Sequence, residues 1–261
     1  MGMSAKEWKT VAEGAVELLG DDWHLVGKGR NLYLVPAPIG WWYQYIYYEN
    51  TSVGHLSACT QFLGQQLTGH AYGDHGDETY NIFIRDRTRP DNPVILRVDA
   101  QTTTEWASEV DEKVFAPYQG AAVTDKWAAE LADADREEQR WAARPDPDAP
   151  TDEQYAVRYA VIQAMCGTKT RAELIAALDW AIAHVRPEPQ WRLTDRDPIA
   201  YLQAIRDTVA AGDRTGFEQV VLANRHDELL GVGVPDNLIG PVDFPEPLAP
   251  WWDEQQEGQT S

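Results

Sequence analysis

The run Trp41-Trp42-Tyr43-Gln44-Tyr45-Ile46-Tyr47-Tyr48 constrains this chain more than any other stretch. Read as a strand, it alternates its side chains between two faces. Trp41, Tyr43, Tyr45 and Tyr47 then share one face, and Trp42, Ile46 and Tyr48 the other. Neither face tolerates open water, so the segment is a central strand covered on both sides. The alternative is an aromatic platform on which a sugar, a base or a peptide stacks. Either way, the chain has to build a layered sheet.

The flanking sequence agrees. Trp23–Val26 and Asn31–Val35 are β-rich and bracket Gly27-Lys28-Gly29-Arg30, a short hairpin turn. Pro36, Pro38 and Gly40 break the chain before the aromatic run. Thr79–Ile84 and Pro93–Val98 read as further strands, and His55–Leu63 as either a strand or a short helix. Before all of these, Ser4 and Glu7 form a capping box that opens a helix through Leu19, with Trp8, Val11, Ala15, Leu18 and Leu19 as its apolar stripe.

Helices dominate from Thr102 onward. Capping-box patterns recur at Thr102/Glu105, Thr151/Gln154, Thr170/Glu173 and Thr215/Glu218, and Asp197-Pro198 marks a further helix start. Thr124–Ala143 reads as a long polar helix closed by a linker at Arg144–Pro150. The helix after Thr151 carries Tyr155, Tyr159, Ile162 and Cys166 on one face. The next turns Leu174, Leu178, Ala181, Ile182 and Val185 inward. The expected fold is α+β, with an N-terminal helix and an aromatic-rich antiparallel sheet, followed by a mostly helical C-terminal half. The expected divisions are 1–120 for the sheet domain, 121–230 for the helical part and 231–261 for a proline-rich extended tail over the surface.

Charge narrows the partners. The 261 residues hold 42 acidic and 22 basic groups, a net charge of −20. Residues 1–120 contribute 16 acidic and 9 basic groups, and 121–261 contribute 26 and 13, so −13 of the total lies in the C-terminal part. Such a surface repels a phosphate backbone and attracts a cationic one. Direct nucleic-acid binding is therefore not expected, and a protein partner with a basic surface is. The chain has no run apolar enough to span a membrane and no signal-peptide core, and the expected location is cytoplasmic. Cys59 and Cys166, the only cysteines, read as buried free thiols.

Familiar catalytic signatures are missing: no phosphate-binding G-x-x-x-x-G-K-[ST], no G-x-G-x-x-G, no G-x-S-x-G and no H-E-x-x-H. The one chemically dense stretch is His70–Glu78. There His70, Asp74, His75, Asp77 and Glu78 offer two imidazoles and three carboxylates, with glycines at 69, 73 and 76. It reads as a polar loop between strands or as a divalent-metal site of a hydrolase. No other cofactor is expected. Arg85–Arg89 is the one basic cluster, either a phosphate or acidic-patch site or an ion-paired turn. His55 and Cys59 would approach each other on a helix but stand roughly 13 Å apart on a strand.

Tryptophan, the residue most enriched at binding hot spots, points to Trp127, Trp141, Trp251 and Trp252 as candidate partner anchors. Trp127 and Trp141 return to one helix face and read equally as internal packing. The function that follows is a non-catalytic acidic protein that binds a macromolecule, as an antagonist (immunity-like) or a scaffold. The metal-dependent hydrolase and a DNA-mimic inhibitor are the alternatives.

Overall fold

The structure, a computed structural model, describes residues 2–49, 55–65, 67, 78–80, 98–120, 123–144, 151–186, 196–245 and 251. The expected strand at Pro93–Val98 (apart from Val98), the Arg85–Arg89 cluster and the linker from Pro145 to Pro150 lie outside them. Two compact units emerge. The sheet unit comprises Met1–Gln61, Ala71–Gly120 and Leu229–Pro241, and the helical unit Phe62–His70, Ala121–Glu228 and Val242–Ser261. No helix among the described residues is long and apolar enough to cross a membrane.

In the sheet unit, α1 (Ala5–Leu19) opens at Ser4, whose hydroxyl accepts from the Glu7 amide while Glu7 accepts from the Ser4 amide at 2.8 Å. Its buried stripe is Trp8, Ala12 and Ala15. Leu18, expected inside, is 57% exposed, because the packing centres on Trp8 and Ala15 and Leu18 stands on the flank. Strands β1 (Trp23–Lys28) and β2 (Asn31–Pro36) pair with Lys28 opposite Asn31, leaving Gly29-Arg30 as the turn. Gly27 has a φ of +86°, and a Cβ there would lie 2.0 Å from the Asn31 carbonyl oxygen, so only glycine fits.

The aromatic run is β3 (Trp42–Glu49). His55–Leu63 resolves as a strand, β4 (His55–Phe62), and β5 (Glu78–Tyr80) includes the start of the expected strand Thr79–Ile84, whose residues 81–84 lie outside the described ones. The order is β1-β2-β3-β4-β5, so β3 is the middle of five strands, as its two apolar faces require. One face is an ordinary core. Leu32, Leu34, Ile46, Leu56 and Ala58 meet Trp8, Trp106, Val110 and Phe115. The Trp8 indole donates to the Leu32 carbonyl at 2.9 Å, and the Gln44 amide donates to the Phe115 carbonyl at 3.1 Å.

Helix α2 (Ala100–Val110) starts before the expected Thr102/Glu105 box. Asp99 caps it instead, with Thr102 as the reciprocal partner. An Asp at the cap and a Thr three residues later satisfy the same two amides. The chain continues through a π turn (Asp111–Phe115) and a 3-10 turn (Ala116–Tyr118).

The helical unit contains α3 (Val123–Ala142), α4 (Glu153–Cys166), α5 (Arg171–His184), α6 (Pro198–Ala211) and α7 (Arg214–Gly231 by its helical span, its last turn belonging to the sheet unit). Thr151–Asp152 (β6) pairs in parallel with Val185–Arg186 (β7). The Thr170/Glu173 box forms, and Asp197 caps α6 as expected. The expected Thr215/Glu218 box does not open α7. Asp213 accepts from the Gly216 amide at 2.9 Å and takes that role.

Helix α4 differs from its expected one-sided stripe. Ala156, Val157 and Tyr159 through Cys166 are all buried, so this stretch is covered on every side. Its contact with α3 includes polar pairs. Arg158 pairs with Glu130, and the Gln163 amide donates to Asp135 at 2.7 Å. Both pairs span 28 residues of sequence. Burial lowers the pKa of the Arg158 guanidinium to about 10. Glu130 is buried beside it and also meets Lys126 at 3.4 Å.

The C-terminal segment is anchored at several of its described residues. In the sheet unit, Ile39 donates to the Leu238 carbonyl at 2.9 Å and accepts from the Gly240 amide at 3.0 Å. In the helical unit, Phe244 and Trp251 both pack on Phe217.

Candidate functional site

The second face of the sheet is chemically unlike the first. Tyr33 from β2, Tyr43, Tyr45 and Tyr47 from β3, and Ser57, Cys59 and Gln61 from β4 share it, and all are buried. The rings form a contiguous group. Tyr33 and Tyr43 each lie 4.9 Å from Tyr45, and Tyr47 lies 5.8 Å from it. The Gln61 amide donates to the Tyr45 hydroxyl at 2.7 Å and reaches the Cys59 sulfur at 3.8 Å. At the rim, Glu49 accepts from the Ser57 hydroxyl at 3.3 Å and faces the His55 Nε2 at 3.0 Å.

This environment holds the phenols neutral. Burial, then the neighbouring Cys59, pushes the Tyr33 phenol up to about 12. Burial likewise raises Tyr43, Tyr45 and Tyr47 well above the ordinary tyrosine range. On the β4 strand His55 and Cys59 share a face with Ser57 between them, and Glu49 engages the imidazole. The arrangement suits packing and hydrogen bonding rather than activation of the thiol.

A second polar cluster lies inside the helical unit. The segment Leu63–Leu67 follows β4 without regular structure, and its backbone groups are met by side chains. The Tyr201 hydroxyl donates to the Gly64 carbonyl at 2.8 Å. The Asn224 amide donates to the Leu63 and Gln65 carbonyls at 3.4 and 3.3 Å. Glu228 accepts from the Leu67 amide at 3.0 Å, and Arg196 donates to Asn224 at 3.1 Å. Asn224 and Glu228 are fully buried, and Arg225 between them has its guanidinium pKa lowered to about 10 by burial. A buried irregular segment needs such partners. Sequence reasoning missed this cluster, although a signal exists. Phe217, Val221, Asn224 and Glu228 fall on one helical stripe, so two polar residues occupy core positions.

His70, Asp74, His75 and Asp77 lie outside the described residues. Glu78 opens β5, its backbone opposite Thr60. Among the described residues no three His, Cys, Asp or Glu side chains gather as a metal site. The described tryptophan anchors are internal. Trp127, 7% exposed, meets Phe62 edge-on at 5.7 Å. Trp141, also 7% exposed, stacks on Trp180 at 4.8 Å and meets Tyr159 edge-on. Trp251, 2% exposed, donates its indole proton to the Ala164 carbonyl at 3.0 Å. Trp252 lies outside the described residues. Trp127 and Trp141 do share one face of α3, and that face is turned into the helical unit.

Comparison with protein-family models, with curated proteins and with solved structures finds no match to this chain, so its functional reading rests on its own residues.

Proposed function

We propose that this protein is a non-catalytic acidic binder of a protein partner with a basic surface, acting as an antagonist or a scaffold. The observation that carries the reading is the net charge of −20 on a chain several of whose described buried polar side chains bond its own backbone. Asn224, Glu228 and Tyr201 hold a loop, and Gln44 holds a turn. Glu130 and Glu228 are the only buried acids among the described residues, so the described acidic excess lies at or near the surface, where it steers association with a cationic partner.

The arrangement on α3 favours a protein partner over mimicry of nucleic acid. A mimic needs rows of carboxylates at phosphate-like spacing. On α3, Asp133 pairs with Arg136, Glu137 with Arg140, Glu130 with Arg158, and Glu138 with Lys169. Four of the six carboxylates of α3 thus meet a cation.

Capture of the full chain from a lysate of its source cell should recover a basic protein in near-equal amount. Raising salt from about 0.05 to about 0.5 M should weaken the purified complex at least tenfold, because the Debye length shrinks about threefold. Failure to recover any stoichiometric protein, together with demonstrated small-molecule turnover, would overturn this function.

A further inference from the structure

The last turn of α4, the first turn of α5 and the first turn of α7 each contribute a contact to one side chain, Trp251. It is 2% exposed although it arrives from the C-terminal segment, whose described residues 241–245 form neither helix nor strand. Three groups read it. The indole N–H donates to the Ala164 carbonyl at 3.0 Å. The Trp251 carbonyl accepts from Arg171 Nη2 at 3.2 Å. The ring meets the fully buried Phe217 at 5.7 Å with 85° between the planes. All four residues belong to the helical unit.

The walls of this socket are set by the helices themselves. Ala164 lies two residues before the end of α4, where carbonyls outrun the helical amides, and Gly167 reaches back to Gln163 beside it. Arg171 is the first residue of α5, which the Thr170/Glu173 box starts. An acceptor, a donor and an aromatic edge therefore stand on three helices, and together they select one side chain. Tryptophan joins a large apolar ring to an N–H donor. Phenylalanine would fill much of the volume and leave the Ala164 carbonyl without that donor, a cost when the acceptor is buried. Side-chain pockets on a folded surface that receive residues of an irregular segment are also how proteins read short peptides of other chains.

We infer that this socket is a docking site for a tryptophan-bearing extended segment of a protein partner, and that Trp251 closes it in the free chain. The tryptophan already seated there displays the chemistry of the occupant: an indole donor for Ala164, a main-chain carbonyl for Arg171 and a ring face for Phe217. A tethered competitor acts at an effective concentration on the order of 1 mM, so an incoming segment has to displace it. The contact is thus autoinhibitory. It rests on the reading above that the protein acts by binding another protein.

The probe is the acetylated and amidated peptide Pro-Leu-Ala-Pro-Trp, the sequence of residues 247–251, which carries no charge and one tryptophan. Calorimetry should find it binding the full-length Trp251→Ala chain at least tenfold tighter than the parent, because the variant's tail no longer competes. Ending the peptide in phenylalanine should weaken that binding about tenfold, since the carbonyl donor is lost. Trp251→Leu, which keeps apolar volume and has no donor, takes the same role if the alanine variant unfolds. In the parent, peptide at about 10 mM, tenfold above the tail's effective concentration, should speed amide exchange at Val242, Asp243, Phe244 and Trp251 while 161–174 and 217–221 stay protected. Binding to neither chain, or equally to both, overturns the socket. Binding to the variant while the parent's tail stays protected makes Trp251 a fixed core residue, and the docking site falls as well. Each of these failures leaves the basic partner standing, since salt-sensitive capture tests it separately.

Discussion

Replacing Trp141 by alanine is expected to lower the unfolding free energy by about 3–5 kcal/mol, the cost of a large aromatic removed from a core. The indole is 7% exposed, stacked on Trp180 with 22° between the planes, and met by the edge of Tyr159 at 5.1 Å. Truncation loses the transfer free energy of the ring and leaves a void that two helices frame. Trp127→Ala should cost a similar amount, because it strips Phe62 of its edge-on partner at 5.7 Å. Urea unfolding of both variants measures this directly. Partner affinity, corrected for the folded fraction, should stay near the parent value. A variant that keeps its stability while losing affinity would return these side chains to the role of interface anchors.

The same two residues show how far sequence carries. Their spacing placed them on one helix face correctly, yet spacing does not say whether the face meets the chain's own interior or a partner. That depends on which neighbours arrive, and Phe62, Tyr159 and Trp180 come from three other elements. The aromatic run of β3 was more legible, since two apolar faces left only an interior strand or a stacking platform, and the run lies third of five strands. Capping patterns succeeded where Ser4/Glu7 and Thr170/Glu173 stood alone. They slipped at α2 and α7, where Asp99 and Asp213 lie within a few residues of a threonine with the same capacity. Periodicity failed at α4 because a helix covered on every side has no single stripe to read. The polar contacts on Leu63–Leu67 were the least legible, since they join residues up to 161 apart in the chain.

Raising the pH above about 10 is expected to unfold the sheet unit cooperatively, and the cause is the tyrosine face. In the fold, burial places the Tyr33 phenol near 12 and those of Tyr43, Tyr45 and Tyr47 well above their ordinary values. An unfolded chain releases these protons near pH 10. Below that pH both states hold the protons, and the stability is fully present. Above it the unfolded state binds fewer, so stability falls as pH rises toward 12 and beyond. Each phenol contributes at most about 1.4 kcal/mol per pH unit, so four contribute roughly 5 kcal/mol per unit. That is comparable to the lower end of a domain's entire stability of about 5–15 kcal/mol. Tyrosinate absorbance should therefore show a smooth rise from exposed phenols, then a steep step coincident with loss of circular dichroism. Two substitutions sharpen the test. The Tyr43 hydroxyl is buried with no hydrogen-bond partner among the described residues, so Tyr43→Phe should cost little at neutral pH and move the alkaline midpoint upward. Tyr45→Phe removes the acceptor of the Gln61 amide and should cost about 1–3 kcal/mol at neutral pH. Smooth titration of all phenols near pH 10 with the dichroism intact would show that this face is open to water, and the burial argument for it would fail.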